Sequence, residues 1–180
     1  TPLSTIKAAA SSLRTKDVDW NSHAGADLIA VIDEEADHLY ILFGNLLDMS
    51  RIESNVLKPN RNWNILSEIL GSVLDRLRRL AEDHHFEIDV PESLPLLPVD
   101  YVQIEQVFTN LISNSLKYAP ANTVIRIQAR VEDEFMHVEV SNQGPQVPSE
   151  HLERIFDKFY RILAADRVSG TGLGLSICKG

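Results

Sequence analysis

Asn110, Asn114 and Lys117 stand four and then three residues apart in the run NLISNSLKYAP, residues 110–120. On a helix that spacing places all three on one face. Two carboxamides and an ammonium so placed suit a polyanion carried with a metal, because an amide oxygen ligates Mg2+ and an ammonium meets phosphate. A solvated polar face would use the same residue types, and apolar Val107, Leu111 and Ile112 surround them. Further on, VEVSNQGPQVP (138–148) leads a strand pattern into Asn142, Gly144 and a turn held by Pro145 and Pro148. A carboxamide at a strand end beside a glycine can read the edge of a base. A plain strand-to-helix turn has the same composition. The run GTGLGLSICKG (170–180) alternates Gly170, Gly172 and Gly174 with Thr171 and Leu173 before turning helical. Alternate glycines let backbone N–H groups crowd around an anion, and a helix start favours phosphate. The preceding RILAADRVS (161–169) has no clear period and reads as a lid over such a site. The six histidines lack metal-ligand spacing, so structural roles are expected of them.

These groups must be held by ordinary globular elements. The 180 residues carry a net charge of -9, and the basic side chains gather only at RLRRL (76–80). That balance speaks against nucleic acid as a partner, since affinity for it rests on neutralising phosphates. The single Cys178 cannot close an internal disulfide and suits a reducing compartment. No apolar run approaches the ~18 residues of a membrane span.

The first ~55 residues read as two helices by heptad-like spacing. Leu3, Ile6, Ala10 and Leu13 mark the first; Leu28, Ile32, Leu39, Leu42, Leu46 and Met49 mark a second from about Ala24 to Glu53. Ile29, Ala36 and Phe43 add a second apolar line. A lone hairpin cannot bury both lines, so a four-helix bundle formed by two copies is expected. Beyond SNVLKPNRNW the texture changes. The spacing predicts a helix over 67–83, a strand over 86–90, a proline-rich loop at PESLPLLP, and a helix opened by Asp100 as N-cap. Two strands follow, TVIRIQARV and FMHVEVS, joined at Glu132–Glu134 as an antiparallel hairpin. Helices and strands mix without strict alternation, so the class is α+β.

In this order, the stretches resemble the sensor histidine kinases of two-component signalling. NLISNSLKY resembles their N box, SNQGPQVP their first glycine box, IFDKFYR (155–161) their F box, and GTGLGLSICK their second glycine box. TPLSTIKAAASSL resembles the run after the phosphoacceptor histidine, and LLDMSRIESNVL the end of the second dimerisation helix. The wording is most similar to the KdpD-type, potassium-responsive kinases. The resemblance implies dimerisation and phosphotransfer helices over 1–56 and a GHKL-type ATP-binding α/β sandwich over 57–180. It implies ATP and Mg2+ as cofactors. Asn114 would ligate the metal, Asn110 and Lys117 would face the triphosphate, and Tyr118 would sit by the nucleotide. Asn142 would face the adenine amino group while Gly144 lets the base approach. Gly170, Gly172, Leu173 and Gly174 would offer backbone to phosphate, and Arg161 would reach the γ-phosphate. Thr1 stands where many members help align water for dephosphorylation. The implied partners are a second copy and a response-regulator receiver domain. The implied location is the cytoplasmic side of a sensor whose membrane anchor is not in this sequence.

Four departures qualify the resemblance. The family pattern puts the phosphoacceptor histidine four residues before Thr1, so the chain as written is expected not to autophosphorylate. The adenine-binding aspartate is Asn142, a neutral acceptor whose weaker bond is expected to cost about 1 kcal/mol. The second glycine of that box is Gln146, expected to be strained by ~1–2 kcal/mol wherever a positive φ is required. The family continues past Gly180 with further strands, so the sheet is expected to be incomplete. The function implied is transfer of the ATP γ-phosphate to a histidine and onward to an aspartate. The alternatives are a dimerising scaffold with a degenerate nucleotide pocket and a GHKL-type ATPase, the latter disfavoured because Asn110 replaces the carboxylate base.

Overall fold

The computed structural model describes residues 2–14, 22–54, 58–162 and 170–180. They divide into two compact units, Thr1–Arg51 and Ile52–Gly180. The first unit contains helix α1 (Pro2–Arg14) and nearly all of helix α2 (His23–Glu53). Pro2 occupies the first turn of α1, where its missing N–H has no helical partner to lose. Ala9 and Leu13 are buried, whereas Leu3 on the expected seam is exposed. On α2 the seam residues Leu28, Ile32, Leu39, Leu42 and Met49 are half-buried. Ile29, Tyr40, Ile41, Phe43, Leu46 and Leu47 are exposed, Tyr40 at 82%. That is a long apolar surface for one helix.

The second unit builds on a three-stranded sheet of β2 (His85–Asp89), β4 (Val124–Glu132) and β5 (Phe135–Ser141), in the order β2-β4-β5. β2 runs parallel to β4, and β4 antiparallel to β5. The side chains of β4 alternate, with Ile125, Ile127 and Ala129 buried and Arg126 and Arg130 exposed. The buried face packs on α3 (Leu66–Leu77) and α4 (Tyr101–Tyr118), forming one core with Leu66, Ile69, Leu70, Val73, Leu77, Phe108, Ile112 and Leu116. Each such side chain, fully withdrawn from water, contributes roughly 1.5–3 kcal/mol. The exposed face carries charge pairs instead, among them Arg126 with Glu87 at 2.6 Å.

Two expectations are corrected. The helix expected over 67–83 ends at Leu77 and continues as a 3-10 turn over Arg78–Ala81. The Arg78 N–H donates to the Asp75 carbonyl, the i to i+3 bond that tightens a helix end. Leu80, which that helix would have carried, is exposed. The proline-rich stretch is not all loop: β3 (Leu97–Val99) pairs antiparallel with β1 (Asn62–Asn64) in a second, two-stranded sheet. Asn64 strengthens this pair by donating its amide to the Val99 carbonyl at 2.9 Å.

Asp100 caps α4 as expected, one carboxylate oxygen accepting from the backbone N–H groups of Val102 and Gln103. Its other oxygen accepts from Asn60 N–H at 2.8 Å, tying the segment ahead of β1 to the start of α4. Asp100→Ala is expected to destabilise the second unit by about 1–2 kcal/mol in urea unfolding, while Asp100→Asn keeps most of the stability.

Candidate functional site

Helix α4 is the wall of the site. Its propensity and cap set its start, and its buried stripe of Phe108, Ile112 and Leu116 fixes its rotation against the sheet. The opposite stripe then presents Asn110, Asn114 and Lys117. Asn114 is half-buried, Lys117 and Tyr118 more exposed.

Two loops meet that wall. The first leaves the end of β5. Gly144 lies so close to α4 that a Cβ there would stand 2.6 Å from the Tyr118 carbonyl oxygen and 2.7 Å from Asn142 Oδ1. A glycine is required at 144 by this approach rather than by a positive φ. The Gly144 N–H donates to Asn142 Oδ1 at 2.7 Å. Asn142 Nδ2 in turn donates to the Ser115 hydroxyl at 3.4 Å, and that hydroxyl donates to the Leu111 carbonyl at 3.1 Å. Gln146 is not among the residues with positive φ, so the expected backbone strain there is absent.

The second loop enters α5 (Gly174–Lys179). Asn110 Nδ2 donates to the Gly174 carbonyl at 3.3 Å, joining the first predicted amide of α4 to the last predicted glycine. Gly172 has φ +69°, and a Cβ there would meet the Phe159 backbone at 2.8 Å. The Phe159 N–H donates to the Gly172 carbonyl at 2.9 Å, and Phe159 itself has φ 61°. Leu173 is fully buried, and its N–H donates to the Thr171 hydroxyl at 3.2 Å. Gly170 is exposed with no heavy atom near its Cβ position.

Charge follows the same wall. Partial burial of its ammonium pushes the Lys117 pKa below its ordinary value, and the positive Arg161 adds to the shift. Two cations held near each other with incomplete solvation favour an anion between or beside them. At the far side of Asn110, burial pushes the Cys178 thiol up, against the bond from Asn110. The Cys178 thiol points to the Val107 carbonyl at 3.7 Å.

Several of the residues singled out from sequence are thus brought to α4: Asn110 meets Gly174, Gly144 lies on the Tyr118 backbone, Asn142 meets Ser115, and Lys117 feels the charge of Arg161. Thr1 and most of the stretch expected to form a lid lie outside the described residues. A separate open cleft of about 660 Å³, lined by Val107, Leu111, Leu152, Glu153, Phe156, Cys178 and Lys179, contains none of them. Among the described residues no cluster of three or more His, Cys, Asp or Glu side chains is arranged to hold a metal. His151 Nδ1 bonds the Tyr160 hydroxyl at 2.6 Å, and His84 Nε2 lies 3.5 Å from the Ala119 carbonyl oxygen. Sequence reasoning passed over Ser115, whose buried hydroxyl holds Asn142, and Phe159, whose left-handed backbone closes on Gly172. A small polar residue next to Asn114 on a buried helix was the available signal for the first; nothing in the sequence marks the second.

Residues 99–180 match the family of histidine kinase-, DNA gyrase B-, and HSP90-like ATPases. Sensor protein KdpD of Mycobacterium tuberculosis is 35% identical over 186 residues, covering 100% of this chain and 21% of that protein. KdpD of Escherichia coli is 40% identical over 138 residues, 77% of this chain and 15% of that protein. The chain belongs with the sensor histidine kinases and is KdpD-like. It spans only about a fifth or less of the length of those curated relatives. Solved structures share its fold. The histidine kinase AdeS of Acinetobacter baumannii superposes with a TM-score of 0.76 at 19% identity, over 99% of this chain and 81% of that one. ShkA, solved with AMPPNP, gives 0.73 at 20% identity over 98% of this chain and 40% of its own. ThkA, solved with the response regulator TrrA, gives 0.66 at 25% identity over 99% of this chain and 49% of its own.

The two glycine-rich loops make contrasting demands. Gly172→Ala is expected to cost at least ~1–2 kcal/mol in urea unfolding, because it forces a side chain into a left-handed backbone against Phe159. Gly170→Ala, facing open space, and Gly174→Ala, with Asn110 at ordinary contact distance of 3.5 Å, are expected to stay within about 0.5 kcal/mol of the parent.

Proposed function

We propose that the second unit binds Mg-ATP against α4 and supplies its γ-phosphate to a histidine, as the kinase core of a two-component sensor. The observation that carries this reading is the convergence on one helix, which itself bears Lys117, of an amide joined to a glycine loop and a second loop packed so that a Cβ at Gly144 would stand 2.6 Å from the helix backbone. Asn142 and Gly144 meet the purine, with Tyr118 beside it. Asn110, Lys117 and the backbone of Gly170, Gly172, Leu173 and Gly174 meet the phosphates. Asn114 holds Mg2+. The donor set fits that metal, because Mg2+ is usually bound by few protein ligands and keeps waters and substrate phosphates in its shell. Bound there, the metal neutralises charge on the phosphate oxygens.

The transfer asks little else of the chain. An imidazole nitrogen attacks the γ-phosphorus, the bond to the β,γ-bridging oxygen breaks, and ADP leaves with the electron pair. Such transfer proceeds through a loose transition state and is helped chiefly by alignment and charge neutralisation. Arg161, whose charge is felt at Lys117, is proposed to meet the γ-phosphate. Thr1 is proposed to align water for the reverse task. Residues 1–56 act as dimerisation and phosphotransfer helices and 57–180 as the catalytic domain. The exposed Ile29, Tyr40, Phe43 and Leu47 support a second copy as the cover for α2. The ThkA–TrrA complex supports a response-regulator receiver domain as the phosphate acceptor. No helix among the described residues is long and apolar enough to cross a membrane, and the chain is proposed to work on the cytoplasmic side. The carboxamide of Asn142, in place of a carboxylate, favours a second reading: a dimerising scaffold with a weakened pocket.

Calorimetric titration with AMPPNP and Mg2+ separates these readings. Saturable binding supports the pocket, and no binding at millimolar nucleotide leaves the scaffold. In a chain extended upstream to carry a phosphoacceptor histidine, the kinase is expected to give acid-labile phosphoprotein; released phosphate alone would identify an ATPase. Lys117→Met is expected to weaken nucleotide binding by roughly tenfold or more, as loss of a charge-assisted bond does. The same change is expected to stabilise the nucleotide-free chain. A lysine whose pKa is depressed on folding binds fewer protons than the unfolded chain, so its penalty is present below the folded pKa and is relieved as pH rises toward the ordinary lysine value. The stability gain from Lys117→Met should therefore shrink across that window. Phe43→Asp is expected to shift the chain toward monomer in sedimentation analysis.

A further inference from the structure

We infer that the Asn142 amide, locked in one orientation by Gly144 and Ser115, reads both the amino group and the ring nitrogen N1 of adenine directly. This rests on the reading that Asn142 faces the purine of a bound nucleotide. The lock follows from hydrogen-bond chemistry. The Gly144 N–H is a donor only, so the atom 2.7 Å from it must be the amide oxygen. The amide nitrogen then faces the Ser115 hydroxyl at 3.4 Å. That hydroxyl spends its proton on the Leu111 carbonyl at 3.1 Å and is left as an acceptor, which is what the amide nitrogen needs. Every partner in the chain from Leu111 to Gly144 agrees on one orientation, and turning the amide over would set N–H against N–H.

Counting what remains gives the specificity. A carboxamide oxygen accepts two bonds and its nitrogen donates two. One of each is used internally, which leaves one acceptor and one donor on the exposed Asn142 side chain. Adenine offers the matching pair on its Watson–Crick edge, an amino N6–H donor beside the N1 acceptor. Asparagine recognises adenine by the same donor and acceptor logic on its other edge in nucleic-acid complexes. Hypoxanthine and guanine carry the opposite pair, an O6 acceptor beside an N1–H donor. Only an inverted amide would fit them, and the Gly144 N–H forbids the inversion. A carboxylate at this position has acceptors alone and cannot address N1 without an intervening water. The neutral side chain is thus not merely a weaker copy of an aspartate: it discriminates at a second atom. Ser115 acts as the positioning residue.

The test compares nucleotides by calorimetry on the 180-residue chain with Mg2+. The expected result is that ATP binds, 1-deaza-ATP binds about fivefold more weakly for want of one neutral bond, and ITP binds more than tenfold more weakly. Asn142→Asp is expected to erase the difference between ATP and 1-deaza-ATP. Ser115→Ala, which removes one side of the lock, is expected to narrow the gap between ATP and ITP while leaving the melting temperature nearly unchanged. Equal binding of ATP and 1-deaza-ATP would overturn the reading of N1, and equal binding of ATP and ITP would overturn the lock. If none of the three binds, the nucleotide pocket itself is refuted and this inference falls with it.

Discussion

The missing side chain at Gly144 is the constraint on which the site depends. The turn after β5 reaches the last turn of α4 only because nothing occupies the 2.6 Å between the Gly144 Cβ position and the Tyr118 carbonyl. A methyl group there would lift the turn away, and with it Asn142 and its bond to Ser115. The other loop has an equivalent dependence on Gly172, whose positive φ and lack of a side chain let it lie on the Phe159 backbone. Both loops are placed by absences, and the chemistry-bearing side chains are placed by the loops.

What keeps the wall fixed is ordinary packing. Ile69, Val73, Ile112, Ile125 and Ile127 are almost wholly buried, and they set α3 and α4 on one face of the sheet. With that stripe fixed, a helix has no freedom left to choose which residues face outward. Asn110, Asn114 and Lys117 are therefore presented by the burial of Phe108, Ile112 and Leu116. The cost is visible at Lys117, whose charged form is disfavoured by partial burial and then by the charge of Arg161. A group kept partly desolvated beside another cation is a common sign of a site prepared for an anion.

Much of this was legible in the sequence because its signals are local. The Asp100 cap, the alternation in VIRIQAR, the hairpin into FMHVEVS and the helical spacing of the two asparagines each depend on neighbours within a few residues, and each has its counterpart in the structure. Three of the misses share a cause, dependence on partners distant in sequence, whereas the early end of α3 is set by a local 3-10 bond. β1 and β3 pair across more than thirty residues, and Pro98 hid the second of them by removing a strand donor. Ser115 looked like filler until Asn142 was seen beside it. The left-handed Phe159 runs against every local preference and exists only because Gly172 lies opposite. The strain expected at Gln146 came from analogy rather than from its own surroundings, and the backbone there takes no such turn.

The central claim is that both loops and α4 enclose one ligand. The most direct measurement is a titration of 15N-labelled chain with AMPPNP and Mg2+ followed by amide chemical shifts. The account predicts that the amides of Asn110, Ser115, Gly144, Gly172 and Gly174 move together with a single binding constant. Shifts at one loop only, or shifts gathered on the charged outer face of the β2-β4-β5 sheet, would contradict it.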